Sequence, residues 1–174
     1  MRHTAFTDPT SFLTDQDKCD RHDMMSLGPT AVIKKIGESE RAARCDISPD
    51  MCALDRNRFF LLGRLPIPVR DRALPYRIGL WAELDVHTLG RVFQLWDGPS
   101  QGSEPPLSAI LVNNVPLVPT TLGLAIDIRL TGSKTHPEFF LRDLKHDLAS
   151  EQRDGVDLHR ALQYSHRANL PPAS

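Results

Sequence analysis

Four side chains in the N-terminal third of the chain are of the types that bind zinc. Cys19 and His22 have C-x2-H spacing, and Cys45 and Cys52 follow with C-x6-C spacing. Thiolate and imidazole groups together suit a tetrahedral Zn²⁺ site. Structural zinc sites usually take their ligands from tight pairs, and only Cys19 and His22 have that spacing. The alternative interpretation is that Cys45 and Cys52 are small buried thiols.

A second group of polar residues lies in the segment 146–155, with the sequence HDLASEQRDG. In a functional interpretation, His146 or Glu151 is a general base and Arg153 binds an anion. In a structural interpretation, Glu151 and Arg153 pair locally or with the sheet, and Gly155 permits a turn with positive φ. No nucleophile is placed beside His146, which favours structure or partner binding over catalysis.

The segment 58–84 is predicted to form the two strands around which the fold is organised. Residues 76–84, YRIGLWAEL, alternate with period two, as expected for an antiparallel strand with one face on a core. Residues 58–65 are nearly continuously apolar and are expected to be more deeply buried. Because Pro66 and Pro68 have no amide proton, this strand must lie on an edge or leave the sheet there.

Other segments predict further elements. Residues 122–130 alternate in the same way, and 107–112 and 138–144 are expected to be strands. Asp85 is predicted to cap a helix over 86–96, and Asp157 to cap a final helix. Residues 30–44 have a weaker helical pattern. The helix 86–96 is expected to use one apolar face, composed of Val86, Leu89, Val92, Phe93 and Trp96.

Together these elements predict an α+β fold with a mostly antiparallel sheet of about five strands and two or three helices on one face. Strands and helices do not alternate regularly, which disfavours a Rossmann or barrel topology. We expect residues 1–28 to be a loosely ordered N-terminal extension, 29–168 to be a single domain and 169–174 to be a tail.

Composition limits the partners. The formal net charge of −1 over 174 residues provides no positive field for a nucleic acid. No apolar run approaches the roughly 20 residues that cross a bilayer, so no membrane partner is expected. An odd count of three cysteines and the absence of a hydrophobic signal region favour the cytoplasm. The expected partner is another protein, with Gln152, Arg153 and Trp81 as candidate binding residues, although a tryptophan in a strand is more often part of a core.

Several short motifs occur in a characteristic order. They include Phe59-Phe60, Gly79-Leu-Trp81, Leu95-Trp96 and, as the most specific, LASEQRDGV at 148–156. The series resembles the bacterial domain-of-unknown-function family 2199 over about residues 19–162. Members of that family typically begin with a C-x2-C-G-x2-H knuckle. The knuckle is degenerate here, because the matching positions hold Cys19, His22, Asp23 and Ser26. The resemblance implies a bacterial cytoplasmic setting and no particular activity.

The sequence therefore favours a non-catalytic bacterial domain that binds another protein, as adaptors and toxin-neutralising proteins do. The alternative is an enzyme or small-ligand binder that uses His146, Glu151 and Arg153, which would then converge on one apolar-walled cavity. A zinc-stabilised domain is the second alternative. Nothing in the sequence indicates an oligomeric state.

Overall fold

A computed structural model describes residues 24–26, 36–96, 98, 105–132 and 134–168. Its helices are α1 (Glu38–Arg44), α2 (Val86–Leu95), α3 (Asp147–Asp154) and α4 (Leu158–Ala168). Its strands are β1 (Met24–Ser26), β2 (Cys45–Ile47), β3 (Met51–Leu54), β4 (Arg58–Ile67), β5 (Tyr76–Leu84), β6 (Leu107–Leu111), β7 (Ala125–Arg129) and β8 (Glu138–Leu141). The α+β prediction is confirmed.

The hairpin of β4 and β5 is the longest pairing in the described sheet, as the period-two pattern predicts. Its register runs from Phe59 opposite Leu84 to Ile67 opposite Tyr76. The alternating apolar residues of β5 are buried in the main core, and Trp81 on the opposite face is buried in a smaller cluster. Both faces of this hairpin are therefore covered, which explains why β4 is apolar at nearly every position.

The sheet closes into a ring of five strands, which the sequence did not predict. The strand order is β1-β5-β6-β7-β8-β4-β3-β2, and β4 also pairs with β5. Most pairings are antiparallel, but β1 with β5 and β4 with β8 are parallel. The inference against a barrel topology was therefore wrong. It relied on the irregular alternation of strands and helices, which does not bear on closure by strand pairing.

Gly63 and Phe139 show how β4 and β8 approach one another. Phe139 is fully buried, and a Cβ atom added to Gly63 would lie 2.3 Å from its ring. Only glycine leaves room for the ring at this place. The two strands meet at a single bridge, Arg64 with Glu138, supported by a 2.8 Å hydrogen bond from the Arg64 amide to the Pro137 carbonyl.

The helices lie around this ring. The helix α3 packs on β4 and β8, α4 on β1 and α2 on β6. The predicted caps of α2 and α4 are present, because Asp85 accepts a hydrogen bond from the Thr88 amide and Asp157 accepts one from the Arg160 amide, both at 2.8 Å. The apolar face of α2 is narrower than predicted, since only Val92 and Leu95 are buried while Val86 and Phe93 are exposed.

Three short strands and one helix were not predicted. The strands β2 and β3 replace a link that the sequence indicated as a turn, and β1 lies within the segment expected to be an extension. The predicted strand 122–130 begins only at Ala125, because Gly123 adopts φ 80° in a turn and Leu122 is half exposed. The helix α3 occupies most of the polar segment 146–155, where the sequence predicted no regular element.

Candidate functional site

His146 is the N-cap of α3. Its Nδ1 atom accepts a hydrogen bond from the Leu148 amide at 3.1 Å, and its Nε2 atom lies 3.3 Å from the Thr120 carbonyl oxygen. Because Nδ1 accepts, the proton of the neutral ring is on Nε2, which donates to Thr120. The imidazole thus satisfies one of the open amides at the helix start. It also ties the helix to the loop before β7.

Glu151 links α3 to α4. Its Oε1 atom accepts two hydrogen bonds from the guanidinium of Arg160, at 2.8 and 2.6 Å, and its Oε2 atom accepts one from the Tyr164 hydroxyl at 2.6 Å. Arg160 also donates to the Leu117 carbonyl at 3.0 Å. Burial, and then the hydrogen bond to Glu151, raise the pKa of Tyr164. Both oxygens of this carboxylate accept hydrogen bonds from structural partners.

Gln152 joins the two strands that close the ring. Its side-chain oxygen accepts from the Leu141 amide at 3.0 Å, and its side-chain nitrogen donates to the carbonyls of Phe139 at 2.8 Å and Pro66 at 3.3 Å. Beyond the single bridge at Arg64, β4 and β8 have no further direct pairing within the described strands. The amide of Gln152 therefore supplies the hydrogen bonds that a longer parallel ladder would have supplied.

Arg153 points away from these networks. It pairs with its neighbour Asp154 at 2.8 Å, and both side chains are more than half exposed. His146, Glu151 and Arg153, the three candidate catalytic residues, have separate partners and do not come together in one cavity. Gly155 follows with φ 76°, as the sequence predicts, and a Cβ there would meet the Pro68 carbonyl at 3.1 Å.

Trp81, the third candidate binding residue, lies inside the smaller core. Its side chain is 5% exposed and belongs to a cluster with Ile36, Cys52, Leu54 and Phe60. Its backbone amide donates to the buried side-chain oxygen of Asn113. A partner could not reach its ring in this fold, whereas Gln152 and Arg153 are at or near the surface.

Two of the four predicted zinc ligands can be located. Cys45 and Cys52 lie on one face of the β2–β3 hairpin, because Cys45 is opposite Leu54 and Cys52 is opposite Ile47. Burial, with smaller contributions from Cys45 and Asp46, raises the pKa of Cys52 to about 11. Cys19 and His22 are outside the described residues, and among those described no group of three or more His, Cys, Asp or Glu side chains could hold a metal ion. The zinc site stays a prediction.

A pocket opens where β4 and β8 part, and we call it the seam pocket. Its apolar wall consists of Pro66, Pro68, Val69, Ala73, Pro75 and Phe140. Arg72 and Gln152 complete the lining, and the volume is about 270 Å³. The sequence indicated the two prolines near the end of β4 but not the pocket, because Phe140 and Gln152 come from a distant part of the chain.

Arg129 lies beside this pocket on the outer face of the sheet. Its guanidinium carbon is 4.6 Å from the centre of the Phe140 ring, a cation–π contact that fixes the ring as a wall of the seam pocket. The pocket thus offers a preformed apolar surface with positive charge at its edge. It suits the binding of an apolar group.

Within the described residues, no helix is both long and apolar enough to cross a membrane. A search of the curated proteins and of the solved structures found no match to this chain. The family model described as an uncharacterized protein conserved in bacteria, DUF2199, matches residues 19–156. That match covers most of the chain, from Cys19 to the residue after Gly155. The chain therefore belongs to the bacterial family DUF2199.

Proposed function

We propose that this bacterial protein is a non-catalytic module of the cytoplasm that binds another protein at the seam pocket. The observation that carries this proposal is the pocket itself, an apolar and preformed concavity at the surface. Protein interfaces concentrate their binding energy in a few large side chains that fill pockets of this kind.

The size of the seam pocket supports a side chain as its occupant. Pockets for cofactors and drug-sized ligands occupy about 300–1,000 Å³, and the volume here, about 270 Å³, is below that range. It is sufficient for one large apolar side chain. Burying such a side chain contributes about 1.5–3 kcal/mol, which is enough for an anchor but needs further contacts around it.

The polar groups of the seam pocket favour binding over catalysis. Among the described residues that line it there is no His, Cys, Asp, Glu or Ser. The side-chain amide of Gln152 already makes three hydrogen bonds to the backbone, so its role in the pocket is to line it. General acid–base chemistry needs a titratable group within about 3 Å of the reacting atom, and the lining offers only the permanently charged Arg72.

Affinity capture with a blocked pocket tests this proposal. Ala73 is exposed and lines the pocket, so Ala73→Trp should fill it with an indole ring. The intact chain and this variant would be used as bait in extracts of the native bacterium. Ala43→Trp makes the same change on the exposed side of α1, next to β2.

We expect one protein to be retained by the wild type and by Ala43→Trp and lost with Ala73→Trp. Equal melting temperatures of the three baits would show that the loss is not unfolding. Identical captured sets for all three baits would contradict docking at the seam pocket.

A further inference from the structure

We infer that Cys45 and Cys52 form a two-coordinate site for a soft monovalent metal ion, Cu(I). The two cysteines lie on the β2–β3 hairpin. This inference is independent of protein binding at the seam pocket. It follows from the placement of the two thiols and from the number of ligands around them.

The two thiols are diagonal neighbours on one face of the hairpin. Cys45 is opposite Leu54, and Cys52 is two residues before Leu54 on the same strand. The Asp55 amide donates to the Arg44 carbonyl at 2.8 Å, and hydrogen bonds of this kind join alternate pairs of residues. Cys45 and Leu54 are therefore a pair without hydrogen bonds, in which side chains come closer together. Cys45 also contributes to the raised pKa of Cys52, as expected for neighbouring thiols.

The spacing of the two thiols favours a bridging ion over a disulfide. Diagonal neighbours have Cα atoms about 7–8 Å apart, whereas a disulfide needs about 4.4–6.8 Å. Both thiols are free in this structure. Two metal–sulfur bonds of about 2.3 Å, arranged in line, hold the sulfur atoms about 4.6 Å apart. An ion therefore joins the two sulfur atoms without the backbone movement that a disulfide requires.

The number of ligands favours Cu(I) over other soft ions. Thiolates select Cu(I), zinc and iron–sulfur clusters. Zinc in structural sites and iron–sulfur clusters take four protein ligands. Among the described residues, no third His, Cys, Asp or Glu side chain joins this pair to make a larger group. Monovalent copper has a closed shell of d electrons and is stable with two thiolates in line.

The surroundings of the pair enclose the ion and leave one way in. Cys52 is 2% exposed and belongs to the smaller core with Phe60 and Trp81, while Cys45 is partly exposed at the border of that core. The ion thus reaches Cys45 first. Each sulfur loses its proton as it binds, so two S–H bonds are replaced by two S–Cu bonds and two protons leave. The complex carries one negative charge, and Cys45 keeps it in contact with water.

Competition with a coloured Cu(I) chelator tests this inference on the full chain. The reduced protein would be titrated without oxygen against the Cu(I) complex of bicinchoninate. We expect the wild type to remove one Cu(I) per chain. Cys45→Ser and Cys52→Ser should each weaken binding by more than about 100-fold, because losing a ligand costs more than losing an outer-shell group. Ala53→Ser is the matched control, since it adds the same hydroxyl on the opposite face of β3.

Further measurements keep the test independent of folding and of the N-terminal cysteine. Because Cys45 is partly exposed, Cys45→Ser should keep a melting temperature close to that of the wild type while losing the ion. X-ray absorption of the loaded wild type should show two sulfur neighbours around copper. Three or four neighbours would overturn the two-coordinate site.

Two other results would also overturn the inference. One is a wild type that removes no copper from the chelator. The other is a Cys19→Ser protein that loses the ion as fully as Cys45→Ser does, because the ligands would then include the N-terminal segment. Neither result bears on protein binding at the seam pocket.

Discussion

Replacing Gln152 by glutamate should weaken the closure of the ring. The carboxylate keeps an acceptor for the Leu141 amide but loses the donor that serves the carbonyls of Phe139 and Pro66. Each lost hydrogen bond costs about 0.5–1.5 kcal/mol, and a desolvated carbonyl left without a donor costs about 1–3 kcal/mol. A negative oxygen 2.8 Å from the Phe139 oxygen adds repulsion. We expect Gln152→Glu to lower the free energy of unfolding by about 3 kcal/mol.

The assay is urea denaturation at two pH values. Near neutral pH the full loss should be seen. Near pH 5 part of the loss should be recovered, because the repulsion of the carbonyls raises the pKa of the introduced carboxyl above its usual value of about 4.3, and the protonated form can donate to Phe139. Arg153→Ala is the matched control on the same helix. Its exposed pair with Asp154 should be worth no more than about 0.5 kcal/mol.

Two results would refute this reasoning. One is a Gln152→Glu protein no less stable than Arg153→Ala. The other is a loss that is the same at both pH values, because that would mean that the side chain does not face the two carbonyls.

Three further changes test other parts of the structure. Gly63→Ala places a Cβ 2.3 Å from the Phe139 ring, so it should lower the free energy of unfolding by about 2–4 kcal/mol, measured by thermal unfolding; an unchanged melting temperature would contradict the close approach. Tyr164 has a raised pKa in the folded state, so the stability that its protonated hydroxyl contributes is complete below the unfolded pKa of about 10 and is lost as the pH rises above that value towards the folded pKa. Tyr164→Phe should therefore be less stable near neutral pH and should lose less stability at alkaline pH, as measured by urea denaturation. The Cys52 thiol, with its pKa raised to about 11, should react slowly with a thiol reagent in a protein whose other two cysteines are serine, and rapidly in urea; fast labelling of the folded protein would contradict its burial.

The strands could be predicted where burial follows a simple period. Residues 76–84 alternate because one set of side chains fills the ring, and the register of β4 with β5 follows from that. The helix α3 could not be predicted in this way. Only Leu148 and Ala149 of its eight residues are buried, so it has no apolar stripe of helical period. Its position is fixed instead by side-chain hydrogen bonds to groups far away in the sequence.

The candidate site could be predicted only in its parts. Gln152 was identified as a binding residue from its place in a polar segment, and Pro66 and Pro68 as the end of a strand. The seam pocket arises because β8 arrives beside that end. A pairing between residues more than 70 positions apart leaves no local pattern in the sequence. Trp81 shows the converse: residue type suggested a binding role, while its place in a strand favoured the core, where the side chain is packed.

The ring can close only after β8, the last of its strands, has been synthesised. The hairpin of β4 and β5 is complete well before residues 138–156 leave the ribosome, and until then the β8 side of β4 has unpaired backbone groups. Such an edge can pair with another nascent chain. A chain that stops before Glu138 would lack both the last strand and the side chain that fastens it. Truncated products of this gene are therefore expected to aggregate rather than to persist as smaller folded domains.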